Sequence, residues 1–282
     1  MVQARQLDPS ASPLDYYGYE LRRLREAAGL KQAGLGDIIF CTGSLIGQVE
    51  CTARVPTRDF SERVDAALGT DGYFSRLVGL VLRSVLPTWF QAYAEMEARA
   101  AYISAYEAQL VYGLLQTEAY ARAVLGVRGK KGLDAKVAAR MERQIILDRE
   151  NPPLSWVVLS EAVLHQEIGG RQVMRNQLAH LLGMQERDWV QVQILPFEAG
   201  AHPGLMGSFT ILRFDDDPDL VYTEDFVQGH MTANPQALRE GHLRYDRLRA
   251  AALSVEDSAA LIARVMEERY GHQPVPDGRD LA

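Results

Sequence analysis

The sequence contains only two cysteines, Cys41 and Cys51, among its 282 residues. Two thiols cannot build a disulfide framework, and on their own they do not make a metal site. Free cysteines usually behave as small buried hydrophobic residues, and a redox-active pair is the alternative. The six histidines are scattered without the spacing of metal ligands, so we predict neither a metal nor a cofactor.

The sequence also lacks an apolar run long enough to cross a membrane, since the longest candidates, 77–86 and 156–159, are interrupted or short. The first thirteen residues are polar and lack the basic start and apolar stretch of a secretion signal. We therefore expect a soluble, cytoplasmic protein without a membrane partner. A hydrophobic content of 47% is enough for a substantial core.

There is no excess of positive charge, because the formal net charge is -7. This balance argues against a protein that coats nucleic acid non-specifically. Residues 14–83 carry nine Lys/Arg and nine Asp/Glu, so this segment is neutral overall. If it binds DNA, the attraction depends on specific contacts more than on net charge.

The chain length predicts two domains and a tail. We place a helical domain at 14–83, a mixed domain at 88–270 and a proline-broken, disordered tail at 271–282. In the second domain, helical patterns alternate with four apolar runs typical of strands, at 156–159, 190–195, 208–214 and 220–223. The last two flank an acidic turn and indicate a hairpin. The predicted fold class is mainly α, with an N-terminal helical bundle followed by an α+β domain with a small, mostly antiparallel sheet.

The segment from Leu21 to Glu50 predicts three short helices. Leu21, Leu24 and Ala28 share one helical face, and Gly29 can end that helix in the left-handed conformation. A second helix begins near residues 31–32, and Thr42 can cap a third helix. The third helix carries Ile46 and Val49 inward and leaves Gly43, Ser44, Gly47 and Gln48 outward.

This arrangement resembles the helix-turn-helix of phage repressors, which places its third helix in the major groove of DNA. The resemblance implies that Gln32 contacts phosphate and that Gly43, Ser44 and Gln48 occupy the base-reading positions. Gln can bond adenine through two hydrogen bonds, whereas Gly reads nothing. The resemblance also implies an internal ion pair between Arg25 and Glu50.

Arg54 and Arg58 follow the third helix around Pro56, where they could grip phosphate. The alternative is that both side chains are simply solvated. The predicted DNA-contacting set is therefore Gln32, Thr42, Gly43, Ser44, Gln48, Arg54 and Arg58.

The chain departs from the repressor class at three positions, because the class prefers Ala at Gly36 and Gly at Phe40 and at Thr52. Four glycines also lie inside the proposed helices, at 34, 36, 43 and 47, and each costs about 1 kcal/mol relative to Ala. We expect a weakened helix pair. A helix-turn-helix that serves only packing or dimerisation is the alternative.

Over most of its length the chain resembles a family of actinobacterial regulators that join such a helix-turn-helix to an antitoxin-like C-terminal domain. The motifs that carry the resemblance are VPTRDF (55–60), AALG (66–69), GLLQTEAYAR (113–122), RMERQ (140–144), LSEAVL (159–164) and GAHPG (200–204). The resemblance implies a transcriptional regulator, often encoded beside a small partner protein. It supplies no catalytic residues.

Three features of the second domain are candidates for function. Aromatic residues could line a small-molecule pocket together with a glycine-rich loop, and the predicted lining residues are Trp89, Tyr93, Tyr106, Tyr112 and His202. The alternative is ordinary core for the aromatic residues, and a turn entering a strand for the 200–208 loop, which the sequence favours. The acidic run at 215–219 fits no calcium-loop pattern and indicates a solvated hairpin tip.

These observations predict a sequence-specific regulator that binds a double-stranded DNA operator as a homodimer. One reading helix covers few base pairs, and paired half-sites supply the rest. The second domain is expected to bind a partner protein or a small-molecule effector. Two alternatives stay open: an enzyme of secondary metabolism that keeps a degenerate helix-turn-helix as scaffold, and a pure interaction module. The sequence favours a protein without enzymatic activity.

Overall fold

The computed structural model describes residues 7–127 and 129–271. The chain divides into two compact units, Met1–Ala92 with Arg128–Arg143, and Tyr93–Val127 with Gln144–Ala282. The segment 128–143, which the sequence analysis assigned to the second domain, thus lies with the first unit. The predicted disordered tail lies outside the described residues except for Gly271. Within the described ranges, no helix is long and apolar enough to span a membrane.

Short helices build the first unit, and most begin at a hydroxyl-bearing cap. Ser12, Thr42 and Thr57 each accept a hydrogen bond from a backbone N–H of the first turn that follows. The helices of this unit are α1 (Pro13–Ala27), α2 (Gln32–Ile38), α3 (Gly43–Glu50), α4 (Arg58–Leu68) and α5 (Tyr73–Ser84), followed by the first residues of α6 (Thr88–Arg99). After α7 (Glu118–Gly126), most of α8 (Leu133–Gln144) also belongs to this unit.

One apolar core holds these helices together. The Tyr17 ring meets Phe74 edge-on, with ring centroids 5.1 Å apart, and its hydroxyl hydrogen-bonds the hydroxyl of Ser61 at 2.8 Å. α2 and α3 contribute buried side chains from their inner faces, and α8 contributes Ala139; further members are Leu21, Leu35, Ile46, Val49, Val64, Val78 and Leu82. The helical spacing predicted inward positions at Leu21, Leu24 and Ala28 of α1, Leu35 and Ile38 of α2, and Ile46 and Val49 of α3. Leu21, Leu35, Ile46 and Val49 are buried as predicted. Ala28 and Ile38, at the ends of their helices, are exposed, and Ile39 is buried in place of Ile38.

The second unit is built on a six-stranded mixed sheet with strand order β3-β2-β1-β4-β5-β6. β1 lies at its centre, pairs parallel to β2 and antiparallel to β4, and β2 pairs parallel to β3. β4, β5 and β6 form an antiparallel meander. The strands are β1 (Tyr102–Glu107), β2 (Leu154–Ser160), β3 (Val190–Leu195), β4 (Phe209–Arg213), β5 (Leu220–Glu224) and β6 (Gly229–Thr232).

Helices cover this sheet. α11 (Pro235–Ala251) packs across β1, β3, β4 and β5, while α12 (Val255–Tyr270) packs on β3 and on α10 (Arg171–Met184). The short α9 (Ala162–His165) follows β2. The core beneath α11 contains Tyr106, Val158, Leu195, Phe209, Ile211, Val221, Tyr245 and Leu248.

The predicted fold class is confirmed as mainly α with an α+β second part. Strands were found at all four predicted runs, and the hairpin between β4 and β5 surrounds the acidic turn as expected. The sheet is mixed, because its two parallel pairings join β1, β2 and β3. The sequence analysis missed β1 and β6.

Candidate functional site

The helix-turn-helix is formed by α2, the turn after it, and α3. Glycines allow these two helices to approach closely. A Cβ on Gly36 would lie 2.7 Å from the carbonyl oxygen of Cys41, and a Cβ on Gly43 would lie 2.9 Å from the backbone of Ala33. Gly36 and Gly43 therefore have a packing role between α2 and α3 that the sequence analysis did not foresee. The short distance at Gly36 also explains why Ala, preferred at this position in the repressor class, does not fit this backbone.

Left-handed backbone conformations mark the helix ends. Gly29 follows α1 with φ +71°, as predicted. Phe40 and Thr52, on either side of α3, have φ +58° and +60°. These are the two positions where the repressor class prefers glycine, so the same turns are built here with side chains that strain them.

The buried carboxylate of Glu50 fixes α3 against α1 and α2. It accepts hydrogen bonds from Nε and Nη2 of Arg25 at 2.5 and 3.1 Å, which confirms the predicted ion pair. It also accepts from Nε2 of Gln32 at 2.8 Å, and Arg22 lies 3.7 Å away. Hydrogen bonding to Glu50 raises the pKa of the Arg25 guanidinium despite its burial, so the guanidinium stays charged.

With its inner face fixed in this way, α3 presents a polar outer face. Ser44 and Gln48 are exposed, Gly43 is half-buried, and the side chains between them point into the core. The hydroxyl of exposed Thr42 accepts from the N–H of Leu45 at 3.2 Å, which confirms its capping role. Ser44 and Gln48 stand one helical turn apart, so both can face the same groove.

Gln32 lies at the start of α2, is exposed, and points its amide nitrogen at Glu50. That nitrogen carries two hydrogens, and the bond to Glu50 uses one of them. A second donor at the same atom is chemically suited to a phosphate oxygen. Lys31, next to it, is exposed and has no side-chain partner among the described residues. The sequence analysis did not single out Lys31, because one lysine at a helix start carries no distinctive pattern.

The structure separates the two arginines that follow α3. Arg54 is exposed, and no acidic side chain pairs with it in the described ranges. Arg58 instead forms an ion pair with Glu142 of α8, with 2.9 Å between Nε and Oε2. The guanidinium of Arg58 is therefore already engaged within the first unit, and a phosphate contact there would have to compete with Glu142.

The predicted pocket residues fall into separate places. Tyr93 and Tyr112 donate their hydroxyls to the buried carboxylate of Glu97 at 2.9 and 2.8 Å, and the Tyr93 ring stacks on Tyr222 at a centroid distance of 3.9 Å. Trp89 belongs to the first unit, where its ring meets Phe90 edge-on. Tyr93 and Tyr112 thus act as core residues with paired hydroxyls.

Tyr106 and His202 lie together at the carboxyl end of β1, with ring centroids 6.2 Å apart. Nδ1 of His202 accepts from the N–H of Gly204 at 3.1 Å and so caps the short turn at Pro203–Met206. Gly204 lies flat on the Tyr106 ring, where a Cβ would collide with it. Burial raises the pKa of Tyr106. The contacts of the GAHPG segment are those of a turn that leads into β4.

The GLLQTEAYAR segment is held by buried glutamines. Gln116 donates to the carbonyl of Val111 at 2.7 Å, and Gln144 donates to the carbonyl of Gln116 at 2.7 Å. Gln177 donates to the carbonyl of Leu115 at 2.7 Å and accepts from the N–H of Thr117 at 2.7 Å. Because these side chains satisfy backbone groups of an irregular segment, the motif has a structural explanation.

The potential metal ligands and the two cysteines of the described ranges lie apart from any clustered site. No group of three potential metal ligands occurs there. The acidic turn after β4 is exposed, and Asp217 pairs with Arg99. Cys41 and Cys51 are both free and half-buried, and burial raises the pKa of the Cys41 thiol, which makes it less reactive.

Comparison with known proteins matches two parts of the chain to family models. No curated protein and no solved structure matches the chain. Residues 17–73 match a family model described as a helix-turn-helix domain, which supports DNA binding and transcription regulation. Residues 90–264, more than half of the chain, match the model described as a domain of unknown function (DUF5753). The chain therefore belongs to the DUF5753 family and carries a helix-turn-helix domain ahead of that region.

Proposed function

We propose that this protein is a sequence-specific DNA-binding transcriptional regulator that reads base edges with the outer face of α3. The observation that carries the proposal is the exposed pair Ser44 and Gln48 on a helix whose inner face is fixed by the buried Glu50 carboxylate. A reading helix needs this combination, because base contacts give specificity only when the backbone behind them is held in place.

Each residue of the proposed interface has a chemical role. Gln48 offers one donor and one acceptor to an adenine, and Ser44 can bond several base edges. Gly43 offers no side chain to the bases, and its missing Cβ lets α3 approach α2. We propose that Thr42, Lys31 and the second amide hydrogen of Gln32 contact phosphate oxygens, and that exposed Arg54 adds a positive charge.

The protein is proposed to act as a homodimer on paired half-sites of a DNA operator. The charge balance of residues 14–83 supports this. A neutral DNA-binding domain gains little from non-specific attraction to DNA and therefore needs the specific contacts of two copies. The DUF5753 region is proposed to bind a small effector or a small partner protein, as in the antitoxin-like regulators that the chain resembles.

The test is a titration of the full-length protein against DNA from upstream of its own gene at two salt concentrations. Selective binding that weakens steeply with salt is expected, with unrelated DNA as the control. Gln48→Ala should lower affinity for the operator by about 5- to 150-fold, the value of one bidentate base contact of about 1–3 kcal/mol. Binding to unrelated DNA should not change.

Gln172→Ala is a matched control, since Gln172 is exposed on α10 of the second unit and should not affect the titration. An unchanged operator profile for Gln48→Ala would contradict the reading helix. No selectivity of the unaltered protein at low salt would contradict the regulator itself.

A further inference from the structure

Two arginines are stacked on aromatic rings over the central strands of the sheet in the second unit. The guanidinium carbon of Arg213 lies 3.9 Å from the ring centroid of Tyr102, and that of Arg249 lies 4.1 Å from the ring of Trp156. Together with Tyr245 these residues form what we name the guanidinium cluster. Stacking on a ring orients a planar guanidinium and leaves its N–H edge available for hydrogen bonds.

The strand register places the members of this cluster on one face. Tyr102 pairs with Arg213 across β1 and β4, and Ser104 pairs with Trp156 across β1 and β2. Directly paired residues point to the same face, and so do residues two apart in a strand. Arg249 comes from α11, which covers this face. β4 and β2 flank β1 and therefore lie about 10 Å apart, a span that two long side chains can close around a small molecule.

Neither arginine has an acidic partner in the part of the chain that the structure describes. The carboxylates nearest to Arg213 in sequence lie in the turn after β4, where Asp217 pairs with Arg99 instead. The carboxylate nearest to Arg249 in sequence is Asp246, three residues earlier on α11, and the two form no ion pair. The Nε atom of Arg213 is buried and has no hydrogen-bond acceptor. Arg213 is half-buried, so its Nε has lost water without gaining a hydrogen bond or a counter-charge, whereas Arg249 is exposed. An anion that accepts a hydrogen bond from this Nε recovers part of the cost of burying it.

Tyr245 interacts electrostatically with both arginines without neutralising them. Its hydroxyl donates to the backbone carbonyl of Trp156 at 2.6 Å. Burial, and then the neighbouring Tyr102, raise the pKa of Tyr245 above its ordinary value, so the phenol stays neutral. The positive charge of the cluster is therefore not cancelled from within.

We propose that the guanidinium cluster binds a small organic molecule through a carboxylate or phosphate oxyanion. Both oxyanions match the fork of N–H donors of an arginine and can accept two parallel hydrogen bonds from it. The suggestion that this ligand is an effector rests on the proposed function. The binding of the ligand itself does not depend on that function.

The experiment is calorimetric titration of the full-length protein at constant ionic strength with four probes. Phosphate and pyrophosphate represent one oxyanion, benzoate the other, and benzamide is the uncharged analogue of benzoate. At least one anion is expected to bind with one molecule per chain, while benzamide does not. Comparing the phosphate probes with benzoate identifies which oxyanion the site accepts.

Variants then locate the site. Arg213→Gln and Arg249→Gln should each weaken binding by about 10- to 150-fold, the range for one hydrogen-bonded charge of about 1.5–3 kcal/mol. Arg213→Lys keeps the charge but not the planar fork, so its affinity should be intermediate. Arg247→Gln is the matched control, because Arg247 is exposed on the same helix like Arg249 but lies outside the guanidinium cluster. A circular dichroism spectrum checks that each variant is folded.

Several outcomes would overturn the proposal: no binding of any anion, equal binding of benzamide, or unchanged affinity in folded Arg213→Gln and Arg249→Gln. Repeating the operator titration with the bound anion separates the two proposals. Anion binding without an effect on DNA affinity rejects only the effector role. Loss of operator selectivity by the protein itself rejects only the regulator, because the calorimetric result does not involve DNA.

Discussion

Gln32 and Glu50, which lie eighteen residues apart, are joined by a 2.8 Å hydrogen bond from the side-chain amide of Gln32 to the buried carboxylate. This bond connects the start of α2 to the end of α3, and the same carboxylate holds Arg25 of α1. The helices α1, α2 and α3 are thus joined through the carboxylate of Glu50. The geometry of the helix-turn-helix depends on that group as well as on its apolar core.

Glu50→Gln should lower the free energy of unfolding by about 3–5 kcal/mol, because it removes the buried counter-charge of the Arg25 guanidinium and leaves only the exposed carboxylate of Glu26. Urea denaturation measures this change. Arg23→Gln is the control, since the Arg23–Glu20 pair has an exposed arginine and water screens it. A similar loss in both variants would show that burial of Arg25 is not the cause.

Phe40→Gly and Thr52→Gly should each raise the free energy of unfolding by up to about 1 kcal/mol, because glycine adopts a positive φ without steric cost. Thermal denaturation of the full-length protein gives the comparison. Ala53→Gly controls for added flexibility and should not stabilise, since Ala53 is outside the positive-φ set. Destabilisation by both substitutions would mean that their side chains contribute more than the strain costs.

Two glycines of the helix-turn-helix should respond in opposite directions to alanine. At Gly34 an added Cβ meets only the Leu30 side chain at 3.8 Å, so Gly34→Ala should stabilise by about 1 kcal/mol through helix propensity. At Gly43 the Cβ would lie 2.9 Å from the backbone of Ala33, so Gly43→Ala should destabilise by about 1–3 kcal/mol. Equal gains at both positions would contradict the close approach of α2 and α3.

Asp65, near the end of α4, caps α5 across the intervening turn. It accepts from the N–H groups of Phe74 and Ser75 at 2.9 and 2.8 Å. Burial raises the pKa of Asp65, but hydrogen bonds from Ser75 and Thr70 and from these backbone groups outweigh it, and the net pKa is lowered. Asp65→Asn should therefore cost about 1–3 kcal/mol of stability at neutral pH.

The pH dependence of that cost has a definite sign. A lowered folded-state pKa stabilises the protein fully above the ordinary aspartate value of 3.8 and loses that effect as pH falls through the folded value. The stability difference between the unaltered protein and Asp65→Asn should shrink in acid. A difference that is constant from pH 7 down to pH 3 would contradict the role of the ionised carboxylate.

Arg54 and Arg58 should behave differently in DNA titrations. Arg54→Gln should weaken binding to all sequences alike and reduce the salt dependence by about one phosphate contact, with stability unchanged. Arg58→Gln should lower stability instead, because it breaks the pair with Glu142. A uniform loss of DNA affinity in folded Arg58→Gln would show that this arginine leaves Glu142 to bind phosphate.

The helix-turn-helix was predictable because its signals are local. Leu21, Ile46 and Val49 follow helical spacing, and the Thr42 cap accepts from the N–H of Leu45, only three residues away. The need for glycine at positions 36 and 43 was not predictable, since it depends on the close approach of backbone from a second element. The same holds for Arg58, whose partner lies 84 residues away.

The centre of the sheet was missed for a related reason. β1 is six residues long, follows directly on α6, and carries tyrosines that the sequence analysis interpreted as pocket residues. Its alternating pattern, with Ile103 and Ala105 on one face and Ser104 and Tyr106 on the other, is a strand signal that the aromatic residues obscured. The guanidinium cluster could not be predicted, because its members come from three strands and a helix.

The position of α8 in the first unit has a consequence for how the protein is made. Glu142 and Ala139 complete the contacts of the helix-turn-helix unit, yet they are synthesised long after α5. During translation, the first unit can complete its fold only after residue 143 has emerged from the ribosome. By that time β1 has also emerged, but its partner strands β2 and β4 have not. A nascent chain of this length therefore exposes an unpaired strand, and arrest or truncation between residues 107 and 143 should yield an aggregation-prone fragment.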